Sequence, residues 1–156
     1  QEQISDLETA NELSEKAFQL FFKERNKVEF FPNVLDEIEK LAQIYELGFL
    51  TNGNADIEMI GIGKFFKFNI SSKDVNANKP NKNHFQNAVE LLGVSKEEIL
   101  HIGDHKINDM LGAISYGVKA LWFNPDKEVW DLDDIKKPSE FNSWQGVTEK
   151  INNFYS

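Results

Sequence analysis

From residue 34 onward, short apolar runs and amphipathic helical stretches take turns, and a turn-forming residue closes nearly every run. Few folds accept that rhythm. Strand, helix, strand, helix at this spacing is the βαβ pattern of a parallel sheet covered by helices on both faces. Strands are expected over residues 46–51, 66–70, 99–102 and 118–123, after a short extended stretch at 28–31 that Pro32 stops. Helices are expected over 34–44, 55–62, 81–92 and 107–116. Pro80 opens the third of these and Gly93 closes it, the usual asymmetry of helix ends. Ahead of the alternation, Ile4, Leu7, Ala10, Leu13, Ala17 and Phe21 recur at three- and four-residue steps, which reads as one amphipathic helix. Phe18, Leu20 and Phe22 widen its apolar face, and the Phe18, Phe21, Phe22 cluster is expected to pack against the core. Beyond Pro125 the chain is acidic and irregular as far as Trp144, and residues 145–154 read as a closing helix.

Composition narrows the function. Lys plus Arg number 17 and Asp plus Glu 26, a net charge of −9. Such a chain lacks the basic footprint of a phosphate-backbone binder, so no nucleic-acid partner is expected. Hydrophobic residues at 40% support a real core rather than disorder. The absence of cysteine excludes disulfides, thiolate nucleophiles and Cys-ligated zinc. No apolar run reaches the roughly 20 residues a membrane helix needs, so no membrane partner is expected. The opening QEQISDLETA is polar and acidic, unlike a secretory signal, and a cytoplasmic location is expected. The chain does not begin with Met, which raises the expectation of a piece of a longer protein.

In parallel sheets, chemistry sits at the carboxyl ends of the strands, where loops converge on a crevice. Those ends are Thr51-Asn52-Gly53, Ser71-Ser72, Gly103-Asp104 and Asn124-Pro125. Asp104 follows an apolar strand and Gly103, whose lack of a Cβ allows close backbone approach. Asp109 lies five residues on. Two carboxylates at a strand-to-helix junction suit Mg²⁺; a helix cap is the structural alternative. Thr51, followed by Asn52-Gly53-Asn54 and a helix, offers a hydroxyl and backbone N–H groups, the elements of a phosphate cradle. A plain β-to-α turn is the alternative. Lys79 sits before Pro80 at a helix start, where the helix dipole disfavours a cation unless an anion is near. Asp104, Asp109 and a bound phosphate are candidates for that anion, and a solvated surface lysine is the alternative.

The strings FLTNGN (49–54), NKPNKNHF (78–85) and ILHIGDHKINDMLGAISYG (99–117) occur in this order on an α/β alternation. In order and spacing the chain resembles the haloacid dehalogenase-like hydrolase superfamily, matching its second, third and fourth motifs. It is similar to the phosphatase branch with a helical cap, which includes bacterial nucleotide and flavin-mononucleotide phosphatases. The resemblance implies an α/β fold with a Rossmann-like parallel sheet, helices on both faces, and a helical remnant of a cap domain in front. Residues 1–27 would be the last cap helix and 28–156 the core. It implies an Mg²⁺-dependent phosphomonoester hydrolase acting on a small phosphorylated metabolite through an aspartyl-phosphate intermediate. Thr51 would hydrogen-bond the transferring phosphoryl group, with help from Asn52 and Gly53. Lys79 would neutralise phosphate charge and steady the nucleophile. Asp104 would ligate Mg²⁺, and Asp109 would stand near the metal or hold Lys79. Several family members carry a second acid directly after the first Asp of the last motif; here that residue is His105.

The resemblance also implies a motif that this chain lacks: an apolar strand ending in Asp-x-Asp, whose first Asp is the nucleophile. Its expected place is upstream of Gln1, as a strand lying between those that end at Thr51 and Gly103. The missing segment of the same protein, or a swapped strand from a second copy, would then be a partner of this chain. Asp131-Leu132-Asp133-Asp134 has the right spelling but follows DKEVW, which is too polar for a buried central strand. It reads as an acidic surface loop. A non-catalytic phosphate- or partner-binding module of the same fold is the competing reading. A phospho-receiver domain is disfavoured, because there the paired acids precede the Thr and the Lys. Phe65, Phe66, Phe68, Trp122, Trp130 and Trp144 read as packing residues. His84 and His101 have no metal-ligand spacing with each other or with His105.

Overall fold

A computed structural model describes residues 2–155, with side chains for residues 9–153. The Ile4, Leu7 and Phe154 side chains, which the sequence places on helix faces, lie outside the described residues. The chain divides into two compact units, one reaching Glu29 and including Ala55–Lys64, the other comprising Phe30–Asn54 and everything from Phe65 onward.

The first unit is built on α1 (Glu2–Arg25) and the short α3 (Ile57–Ile60). Asp56 caps α3, its side chain accepting from the Glu58 and Met59 N–H groups at 2.9 and 3.2 Å. Buried Asn26 ties the end of α1 to that cap. Its Oδ1 accepts from the Asp56 N–H at 2.9 Å, and its Nδ2 donates to the Phe22 carbonyl at 2.9 Å. Phe18 and Phe21 are exposed, with Leu13 and Leu20, and Phe22 is half-buried with its ring stacked on Phe18.

The second unit runs α2 (Val34–Ala42), β1 (Gly48–Thr51), β2 (Phe68–Ser71), α4 (Ser72–Val75), α5 (Asn83–Leu92) and β3 (Leu100–Gly103). A six-residue π-turn (Lys106–Leu111), α6 (Gly112–Tyr116), β4 (Lys119–Phe123), β5 (Ser139–Phe141) and α7 (Val147–Tyr155) complete it. β1 pairs in parallel with β2, Thr51 opposite Ser71. β4 lies between β3 and β5, parallel to both, with Gly103 opposite Trp122 and Phe123 opposite Phe141.

Alternation along β4 makes the two cores. Leu121 and Phe123 point to one face, where they meet Leu41, Phe141, Val147 and Ile151 of α2, β5 and α7. Ala120 and Trp122 point to the other, among Phe85, Met110 and Ala113 of α5, the π-turn and α6. Every residue of β4 after Lys119 is buried, the mark of a strand covered on both sides. The fold is therefore the expected α/β arrangement, parallel sheets with helices on both faces.

Residues 28–31, read as a short extended stretch, belong to neither sheet, and Phe31 sets its ring edge-on to Phe123, 4.9 Å between centroids. One expectation is corrected. The acidic tail contains β5, which the sequence reading leaves irregular. With three residues and only Phe141 buried, β5 is too short to display a period. No described helix is long and apolar enough to cross a membrane.

Candidate active site

β1 ends at Thr51, and the chain turns at once because the Gly53 N–H donates to the Thr51 hydroxyl oxygen at 3.0 Å. That turn presents Asn52 to the segment before α5. Its side chain clamps both backbone groups of Lys79: Nδ2 donates to the Lys79 carbonyl at 3.0 Å and Oδ1 accepts from the Lys79 N–H at 2.6 Å. The Ser72 hydroxyl donates to the Asn52 carbonyl at 3.0 Å and fixes the turn from β2's side. The Lys79–Pro80 peptide is cis.

Lys79 is 8% exposed. Its ammonium donates to the Leu50 carbonyl on β1 at 3.0 Å and to Asp109 Oδ1 at 2.5 Å. An ammonium has three N–H groups, so one remains for a ligand. Asp109 reaches this point because the π-turn folds under the end of β3, with the Asp109 and Met110 N–H groups both donating to the His105 carbonyl. Gly103 is required there. A Cβ at Gly103 would stand 2.5 Å from both Cβ and Cγ of Asp109, so the missing side chain makes room for a neighbouring carboxylate.

Asp109 is fully engaged inside the protein. Oδ1 accepts from Lys79 and, at 3.0 Å, from His101 Nε2; Oδ2 accepts from the His105 N–H at 3.1 Å. Burial would push its carboxyl up. The His101 hydrogen bond and the Lys79 charge outweigh burial and hold it well below the usual carboxylate range. His101 itself titrates low, chiefly through burial, despite the raising effect of Asp109.

The two other histidines differ. His105 is exposed and caps the π-turn, its Nδ1 accepting from the Ile107 and Asn108 N–H groups at 3.1 Å each. His84 is fully buried; its Nε2 meets the Thr51 carbonyl at 3.2 Å and its Nδ1 finds no partner among the described residues. Burial lowers the His84 pKa, with Lys79 adding to the effect.

Asp104 stands apart from this network. It is exposed just past β3, and its carboxylate has no hydrogen-bond or ion-pair partner among the described residues. Its carbonyl is held by the buried Trp122, whose Nε1 donates to it at 2.8 Å. An anionic oxygen donor open to solvent fits a hard cation such as Mg²⁺, whose remaining ligands can be waters and other carboxylates. Among the described residues, no group of three or more His, Asp or Glu is placed to hold a metal ion. Asp131, the first acid of the decoy Asp-x-Asp, is exposed in a loop and pairs with Lys106 at 2.8 Å.

Thr51, Asn52, Gly53, Lys79 and Asp109 are thus joined by hydrogen bonds at the ends of β1 and β3, and Asp104 follows β3 directly. Sequence reasoning missed His101 as a member of this group. Its signal was a polar residue inside an apolar strand two positions before Gly103, hence on the same face of β3 as the glycine that admits Asp109.

A carboxylate-gripped lysine lies beside a hydroxyl-bearing strand end in a parallel α/β fold. A family model described as haloacid dehalogenase-like hydrolase matches residues 2–123, and the chain belongs to that family. It is 34% identical over 115 residues to the 5-amino-6-(5-phospho-D-ribitylamino)uracil phosphatase YigB of Escherichia coli, covering 71% of this chain and 48% of that protein. It is 30% identical to a phosphoserine phosphatase of Thermus thermophilus, covering 82% of this chain and 57% of that one. The crystal structure of a 2-haloacid dehalogenase from Pseudomonas syringae superposes with a TM-score of 0.87 at 32% identity, over 94% of this chain and 64% of that one. The chain spans about half the length of these two curated relatives.

Proposed function

We propose that this chain carries the phosphate- and metal-binding side of an Mg²⁺-dependent phosphomonoester hydrolase acting on a small phosphorylated metabolite. The observation that supports it best is Lys79, a nearly buried ammonium bonded to β1 and to Asp109, with one N–H left over. That N–H would meet a phosphoryl oxygen. The Thr51 hydroxyl, which accepts from Gly53 and keeps its own proton to donate, and the Asn52 N–H would meet others. Asp109 would hold Lys79 in place. Asp104 would hold Mg²⁺, which when bound offsets the phosphoryl charge. The carboxylate nucleophile that takes the phosphoryl group would come from a segment preceding Gln1, and hydrolysis of the resulting aspartyl phosphate would release phosphate. The names of the two curated relatives, both phosphatases, support the reaction class.

The test is phosphate release from a panel of nucleotide, flavin and sugar monophosphates by the full-length protein, with Mg²⁺ and then with EDTA. Turnover that EDTA abolishes is expected, and Asp104→Asn should raise the Mg²⁺ concentration needed for half-maximal rate by about tenfold or more. Metal-independent turnover would contradict the account. Because a 2-haloacid dehalogenase superposes so well, halide release from a 2-chloroalkanoate is the second reading to assay. Phosphate binding without turnover of either substrate would favour a non-catalytic module.

A further inference from the structure

We infer that His101 is a positioning residue for Lys79: it locks the Asp109 carboxylate whose Oδ1 grips the ammonium. The inference rests on the proposed contact between Lys79 and a phosphoryl group, but the geometry that carries it is independent of substrate. Asp109 Oδ1 accepts two hydrogen bonds, from Lys79 Nζ at 2.5 Å and His101 Nε2 at 3.0 Å. A carboxylate only accepts, so Nε2 carries the proton and the tautomer is fixed. The ring is itself held. Its side chain is 10% exposed, and buried Phe85 meets it edge-on with centroids 5.1 Å apart and planes at 90°. β3 supplies a rigid base beneath it.

The terminal torsion of an Asp is broad, so a carboxylate with few anchors swings. Without His101, Asp109 keeps only the His105 N–H at 3.1 Å and Lys79 itself, which rides on a flexible four-carbon stem. Oδ1 then moves, and the ammonium moves with it or settles wholly on the Leu50 carbonyl. Displacement of a positioning group by about 1 Å is enough to cost on the order of 10²-fold in rate. The charge of Lys79 survives the change; its direction does not.

The experiment compares His101→Leu, which removes the N–H, with His101→Gln, whose amide places an N–H near the position of Nε2. Both are made in the full-length protein. The readouts are kcat and KM on the preferred phosphomonoester, the melting temperature, and acylation of Lys79 by an amine-reactive ester read by mass spectrometry. His101→Leu should lower kcat by about tenfold or more with KM within about twofold, and raise Lys79 acylation severalfold. His101→Gln should recover most of both. If the leucine variant fails to fold, His101→Asn, whose amide falls short of Asp109, takes its place. Wild-type kcat and wild-type acylation in His101→Leu would overturn the inference, as would equal damage in both variants. A wild-type protein without phosphatase activity would overturn the proposed function instead, and the acylation arm would still decide the role of His101.

Discussion

Lys79 and Asp109 are both 8% exposed as side chains, so each is the other's main counter-charge. Replacing the ammonium strands a buried carboxylate, which typically costs about 3–5 kcal/mol. Lys79→Met should therefore lower the urea midpoint as well as reduce turnover by about 10²-fold; an unchanged midpoint would show that the pair is not buried in solution. The sequence displayed Thr51, Lys79, Asp104 and Asp109 because their spacing repeats a known order of motifs. It left open whether Asp109 faces a metal or the lysine, since that depends on a π-turn that apolar periodicity does not reveal. His101 was missed for a different reason: its one signal, a polar residue two positions before Gly103, says which strand face it shares but not what it bonds.

Among the elements, α2 and α7 pack through Leu41, Val147 and Ile151 and are also bridged by a buried acid. Glu37 Oε2 accepts from the Thr148 N–H at 2.8 Å and the Thr148 hydroxyl at 2.7 Å, so a side chain of α2 caps the start of α7. Oε1 takes Lys40 at 2.7 Å. Burial alone would raise its pKa, but the bonds from Lys40 and Thr148 bring it from 4.5 down to about 2. A depressed folded-state pKa means stability that is present above the unfolded value and lost as pH falls through the folded one. Up to about 3 kcal/mol should therefore disappear between pH 4.5 and about 2. Urea midpoints measured against pH should fall more steeply across that window in the wild type than in Glu37→Gln; parallel curves would remove Glu37 from the account. None of this was legible in the sequence, where Glu37 looked like one more acid on a helix. The element types were mostly legible, because β4 and its covering helices declare themselves by apolar continuity and period. The failure, β5, is a stretch too short for period to decide.

Across the whole molecule, β1 pairs with β2 and β3 with β4, and no ladder joins β1 to β3 among the described residues. What links their ends is a side chain, Lys79, bonded to the Leu50 carbonyl on one side and to Asp109 on the other. Unpaired strand edges attract a further strand, and the proposed upstream segment would lie there. Amide exchange in β1 and β3 should accordingly be slower in a protein that includes that segment than in this chain alone. Equal protection would argue that the two edges are covered by something else. The βα alternation was enough to predict the parallel α/β architecture.

The central claim is the proposal that a cation binds at Asp104, directly after β3, and that the turn at Thr51–Gly53 and Lys79 meet the anion. Mn²⁺ substituted for Mg²⁺ in the ¹⁵N-labelled full-length protein tests it directly through paramagnetic broadening of amide resonances. Gly103–His105 and Thr51–Gly53 should broaden first, and excess Mg²⁺ should restore them. Broadening confined to the acidic loop at Asp131–Asp134, or spread evenly over surface carboxylates, would contradict the account.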